Sequence, residues 1–174
     1  MWTIGHSTLP IEEFIPLLTG NGIEVLADVR RFPGSRRHPQ FGADALNAAL
    51  GAAGIRYEPF PALGGRRDPR PDSLNLAWRN ASFRGYADYM ETPEFRTAIE
   101  RLLTVARTER TAVMCAEAVW WRCHRGLIAD YLKAAGHEVL HIGASGAPAS
   151  HPYTSAARII DGRLSYAGEP TLDL

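Results

Sequence analysis

The feature that most constrains this chain is a regular alternation of short apolar segments with amphipathic ones, punctuated by glycine. Trp2–Ile4, Ile23–Arg30, Ile55–Phe60, Thr111–Cys115 and Glu138–Ile142 read as strands. Helical patterns lie between them. The first opens at Pro10 with Glu12 and Glu13 and carries Phe14, Ile15, Leu17 and Leu18 on its apolar side. Others cover Asp44–Ala53, Phe83–Met90, Thr92 to Arg107 and Cys123–Ala135. Proline, acids and threonine suit the helix starts because the first-turn N–H groups lack intrahelical partners. Gly20-Asn21-Gly22, Gly54 and Gly136 fall where helices should stop. Pro16 argues against a long regular first helix, since it removes a hydrogen bond. Strands that alternate with helices need crossover connections, and these cover both faces of a parallel sheet. The expected fold is therefore α/β: a single domain over 1–174, three-layer, with a mainly parallel sheet flanked by helices. A last pair, Ala157–Ile160 and Arg163–Tyr166, brackets Asp161-Gly162, a dipeptide that accepts the positive φ angles of a tight hairpin turn. A C-terminal β-hairpin over about 157–166 follows.

The chain has 174 residues, enough for one domain with a real core, and no internal repeat or second-domain boundary is visible. No apolar run approaches the roughly 20 residues that span a bilayer, so no membrane partner is expected. The N-terminus shows no basic stretch followed by an apolar one, which makes a cytoplasmic address the default. Two cysteines are too few for a disulfide framework, and reduced thiols are expected in that compartment. The net charge of zero argues against nucleic-acid binding by bulk electrostatics. The charge is nevertheless uneven. Between Asp28 and Gly85 there are ten arginines against five acids, a local excess of 10 − 5 = +5. Pro61–Asn80 is a long Pro-, Gly- and Arg-rich loop, and long loops in compact domains often carry binding or lid functions.

Sites in open α/β sheets lie beyond the carboxyl ends of the strands. The first strand leads to Gly5, His6 and Ser7; the second delivers Asp28, Arg30 and Arg31; the Thr111–Cys115 strand delivers Cys115 and Glu117. The helix after it begins Cys123-His124-Arg125. A helix N-terminus and a neighbouring arginine both favour a thiolate at Cys123. Cys115 is a second thiol that serves equally well as a small buried hydrophobe. A zinc site from Cys115, Cys123, His124 and His6 is an alternative, but the C-x7-C-H spacing matches no short-spaced zinc ribbon or finger. No metal ligand is assigned on this basis, and no cofactor is expected. A phosphatase-type loop needs cysteine and arginine close together; here Cys115 and Arg125 stand ten apart around an acid and two indoles. Gly64-Gly65-Arg66-Arg67 could wrap an anion, as a weak signal.

Several blocks carry a resemblance: "TIGHST", "LADVRRFPGSRR", "ALGG", "YADYMETPEF" and "MCAE…CHRGLIADYL" followed by "VLHI". In this order, from about Thr3 to Ile142, they are similar to the bacterial and archaeal family called domain of unknown function 488. Val119-Trp120-Trp121 departs from the loop usual between the two cysteine blocks. The resemblance implies an α/β domain with a shared site at His6, Ser7, Asp28, Arg30, Ser35, Glu117, Cys123, His124 and Arg125, and it supplies no reaction.

Three functions are compatible with these residues. The first is an enzyme of hydrolysis or group transfer on a small anionic substrate, a nucleotide or nucleic-acid fragment. Ser7, Arg30, Ser35 and Arg125 would bind the anion. His6 or His124 would be acid and base, Glu117 or Asp28 would orient the histidine or activate water, and Cys123 or Cys115 would be the nucleophile of a covalent route. The second is a non-catalytic nucleic-acid or nucleotide binding module that stacks bases on Phe32, Phe41, Tyr57 and Trp78. The third is a Cys/His metalloprotein. The substrate and the oligomeric state are not legible in the sequence.

Overall fold

In a computed structural model, which describes residues 1–34 and 37–168, the alternation becomes a six-stranded sheet. Strands β1 (Trp2–Gly5), β2 (Val25–Asp28), β3 (Arg56–Pro59), β4 (Thr111–Cys115) and β5 (Leu140–Ile142) are parallel, and β6 (Pro148–Ser150) adds antiparallel to β5. The order across the sheet is β3-β2-β4-β1-β5-β6.

Successive strand residues point to opposite faces, and the core divides accordingly. Ile4, Leu26, Ala112 and Met114 join Phe14 and Leu18 of α1 (Ile11–Gly20) and Leu46 and Leu50 of α2 (Ala43–Ala52). Ala27, Val29 and Val113 join the other cluster, with Tyr86 of α3 (Ala81–Met90), Phe95 and Leu102 of α4 (Pro93–Ala106), and Leu127 and Leu132 of α5 (Arg125–Ala134). The fold is thus three-layer α/β, as the alternation implies.

Differences from the sequence reading are local. Pro16 lies inside α1 without ending it. The helix loses one N–H donor there, while Phe14 and Leu18 on either side of the proline are fully buried. α5 begins two residues later than its apolar pattern, with His124 as its cap. β6 is not legible in sequence because Pro148 reads as a breaker; at a sheet edge a missing donor is tolerated. The opposite edge carries charge: on β3, Arg56 pairs with Glu58 and Glu109, and Glu58 also pairs with Arg101. Charged edges resist further strand pairing. The C-terminal hairpin forms from β7 (Arg158–Ile160) and β8 (Arg163–Ser165), with φ of 49° at Asp161 and 74° at Gly162, both in the left-handed region that a type I′ turn requires. Among the described residues, no helix is long and apolar enough to cross a membrane.

Candidate active site

β1 and β4 are neighbours whose chains leave in opposite directions. β1 continues through α1, across β4, to β2; β4 continues through α5, across β1, to β5. Since α1 and α5 cover opposite faces, a crevice remains beyond the carboxyl ends of the two strands. The loops there interlock. His6 and Ser7 donate backbone N–H bonds to the carbonyls of Cys115 and Ala116 (3.1 and 2.9 Å), and Ser7 is held at φ 49°. A Cβ on Gly5 would lie 1.8 Å from the Glu117 carbonyl oxygen, so only glycine allows this approach.

Two joined recesses occupy the crevice. The larger, about 410 Å³, is lined by Arg30, Arg31, Arg66, Arg122, Cys115, Glu117, Cys123 and His124, together with Phe32, Phe83, Ser82, Gly34, Gly65 and Ala116. The smaller, about 340 Å³, adds His6, Ser7 and His38 and shares Arg30 and Glu117 with it. A third recess of about 620 Å³ shares Phe83 and Arg122 with the first and is walled by Trp78, Trp120, Trp121 and Tyr153. Another of about 430 Å³, between α3, α5 and the hairpin, contains none of the sequence-predicted residues.

Each polar side chain of the site has a traceable holder. Asp28 accepts both Nε (2.9 Å) and Nη2 (2.6 Å) of Arg30, the Arg30 backbone N–H (3.0 Å) and the Tyr57 hydroxyl (2.8 Å). Its lone pairs are committed to fixing Arg30. Burial works against the Arg30 charge, but the paired carboxylate holds the guanidinium firmly protonated. Nδ1 of His6 donates to the Ser7 carbonyl (2.9 Å), so Nε2 is the acceptor that faces Arg30 Nη1 (3.3 Å). Burial, with the adjacent Arg30 charge, pushes His6 down to about 4. It is a neutral imidazole, stacked on Phe41 at 4.1 Å between ring centroids.

Cys115, Cys123 and His124 form the floor. Nδ1 of His124 lies 3.6 Å from Cys123 Sγ and 3.9 Å from Cys115 Sγ, and the Arg125 backbone N–H points at Cys123 Sγ at 3.5 Å. The Cys115 thiol donates toward Cys123. That bond and the neighbouring His124 favour the Cys123 thiolate, while burial opposes it; the same bond and burial hold Cys115 protonated. Gly65 packs on this floor: its Cβ would stand 2.9 Å from His124 Nδ1. Gly64 packs against Arg31 in the same way, at 2.8 Å. The glycine pair of the long loop therefore permits close packing against the site.

Arg125 is not at the cleft. Its guanidinium is buried beneath the loop, with Nη2 donating to the carbonyls of Glu117 (2.6 Å) and Ala118 (3.4 Å) and Nη1 to Thr3 Oγ1 (3.3 Å). From there a continuous chain runs inward. Thr3 donates to His141 Nδ1 (2.7 Å), His141 Nε2 to His151 Nδ1 (2.8 Å), and His151 Nε2 to Asp130 Oδ1 (3.0 Å). Asp130 also accepts from the Thr154 backbone, the Thr154 hydroxyl and the Tyr166 hydroxyl. Trp120 stacks flat on His141 at 4.6 Å. Burial, with His151 and Arg125 nearby, pushes His141 down to about 3.

The fold thus brings together His6, Ser7, Arg30, Glu117, Cys115, Cys123 and His124. It places Asp28 and Arg125 behind them as supports, and Ser35 lies outside the described residues. Sequence reading missed Arg122 in the cleft, and the chain Thr3–His141–His151–Asp130; Arg66, which also lines the cleft, stood in the Gly64–Arg67 stretch noted as able to wrap an anion. Thr3, Asp130 and His141 stood in the quoted blocks "TIGHST", "CHRGLIADYL" and "VLHI", but nothing in their spacing links them to one another or to His151. Of the four aromatics proposed for stacking, Phe41 is buried, Tyr57 is bonded to Asp28 and Trp78 is nearly buried; Phe32 is 73% exposed.

This is an α/β domain with a polar, thiol-bearing cleft at its topological switch point. The chain belongs to the family described as Domain of unknown function DUF488, whose model matches residues 10–132. Neither the curated proteins nor the solved structures contain a match to it.

Proposed function

We propose that the cleft is the active site of an enzyme that performs hydrolysis or group transfer on a small anionic substrate of the nucleotide type. One observation carries this reading: among the described residues four arginines, Arg30, Arg31, Arg66 and Arg122, line a recess with Glu117 as its one acid, above a floor of Cys123 and His124. A phosphate fits such a charge pattern, since guanidinium groups bind phosphate oxygens in pairs. The adjoining aromatic recess, with Trp121 57% exposed, offers a base-stacking surface next to Arg122. Arg30 is fixed by Asp28 and His6 before any substrate arrives, so little ordering cost remains at binding. Glu117, exposed at the rim of both recesses, is the acid/base, and the Cys123–His124 floor is where the reacting atom sits.

The test is a panel of nucleotides and phosphoesters with three variants. Glu117→Gln and Cys123→Ser should each lower kcat by at least about 100-fold. Trp121→Ala should raise KM several-fold with kcat kept. Full activity in both of the first two variants would remove the assignment.

A further inference from the structure

One imidazole nitrogen serves two sulfurs in the floor of the cleft. Nδ1 of His124 stands 3.6 Å from Cys123 Sγ and 3.9 Å from Cys115 Sγ, and the three atoms lie within 4.8 Å of one another. As hydrogen bonding this is over-subscribed, because a ring nitrogen has one proton or one lone pair to offer. As metal ligation it is ordinary. A tetrahedral zinc with Zn–S of ~2.3 Å and Zn–N of ~2.05 Å has S···N edges of about 3.6 Å and an S···S edge of about 3.8 Å. All three residues are about nine-tenths buried or more. They come from rigid places: the last residue of β4, the end of a 3-10 turn, and the cap of α5. The Arg125 backbone N–H directed at Cys123 Sγ is the kind of outer contact that steadies a thiolate ligand.

We propose that Cys115, Cys123 and His124 bind a zinc ion whose fourth position opens into the cleft. The chain spacing hides this site, because its ligands are brought together by the strand end and the turn rather than by a short motif. His6, which sequence alone groups with these ligands, is not one of them; its Nε2 faces Arg30. Three protein ligands with a vacant position are the pattern of catalytic rather than structural zinc. The role of that position rests on the reading of the cleft as a reaction site. There it holds a water: as its oxygen bonds to the substrate phosphorus, Glu117 takes the proton, the bond to the leaving oxygen breaks, and the proton passes from Glu117 to that oxygen.

The experiment uses the full chain without a histidine tag, with both thiols shown free by Ellman titration. Zinc is measured by competition against a chromophoric chelator, and cobalt(II) by absorbance. The expected result is one equivalent of zinc, together with the intense d–d and thiolate charge-transfer bands of tetrahedral cobalt. Cys115→Ser, Cys123→Ser and His124→Ala should each weaken zinc at least 100-fold, and His6→Gln should leave it within twofold. Circular dichroism of each metal-free variant checks that the fold is kept. Retention of less than about 0.1 equivalent of zinc, with no cobalt–thiolate band, overturns the site. Zinc binding without turnover on the nucleotide panel upholds the site and removes the proposed function. One equivalent of zinc with turnover undiminished after chelation upholds the site and removes its role in the reaction.

Discussion

A Cβ on Gly65 would lie 2.9 Å from His124 Nδ1, and one on Gly5 would lie 1.8 Å from the Glu117 carbonyl oxygen. The two glycines sit against the same site, yet they answer to different neighbours. At Gly65 the obstacle is the end of a side chain that can turn aside; at Gly5 it is backbone that cannot. Gly65→Ala should therefore keep the thermal midpoint within a few degrees while lowering turnover at least tenfold, because the imidazole is displaced from both sulfurs. Gly5→Ala should cost roughly 3 kcal/mol or more in urea unfolding, at or beyond the top of the range for overpacking. Equal stability losses in the two variants would refute the distinction. Arg66, at φ 58° in the cleft wall, is a third position of this kind, a non-glycine residue held in the left-handed region beside a candidate site.

At the scale of elements, α5 does two jobs. The entry to it, Cys123 and the capping His124, faces the cleft, and the helix itself carries Arg125 and Asp130, the two ends of the buried chain through Thr3, His141 and His151. Among the described residues Arg125 has no carboxylate within ion-pair distance. Its charge is balanced through carbonyls, a hydroxyl and two imidazoles in a hydrogen-bonded chain that ends on Asp130. Asp130→Asn leaves the shape but removes the anionic end, and should cost about 3 kcal/mol. Arg125→Met removes the other end and should also loosen the Glu117 loop. If the chain acts as a unit, the double variant should differ from the sum by more than about 0.5 kcal/mol; additivity within that margin would show two independent sites. Much of this element scale could be read in sequence. The five strands, the five helices and the hairpin follow from periodicity and turn chemistry, and three strand ends pointed to the cleft. Periodicity carries no information about partners distant in the chain. That is why Asp28 was read as an orienting or water-activating acid and Arg125 as an anion ligand with no sign that the first is bonded to Arg30 and Tyr57 and the second to the Glu117 carbonyl, and why Asp130, His141 and His151 were not read as a set.

For the whole molecule, two of the buried imidazoles, His6 and His141, make stability depend on pH. His6 is pushed down to about 4 and His141 to about 3, against 6.5 for a free histidine, in both cases chiefly because burial disfavours the cation. A histidine with a depressed folded value is neutral in the fold while the unfolded chain already binds a proton. The unfolded state then holds more protons between pH 6.5 and the folded values, so stability rises with pH across that window and falls as the pH is lowered through it. Above pH 6.5 neither group contributes to the slope. Each contributes at most one proton, or about 1.4 kcal/mol per pH unit. Urea titrations at intervals from pH 7 to 4 should show unfolding free energy falling through this range. His6→Gln and His141→Gln should each reduce the slope by up to one proton, and the double variant by up to two. Carboxylates titrate over the lower part of the same range, so it is the difference between wild type and variants that reports the histidines. A slope unchanged in both variants would mean that the imidazoles are protonated in the fold near their ordinary value. The neutral Nε2 acceptor that faces Arg30 and the directed bonds from Thr3 to Asp130 would then both have to be redrawn.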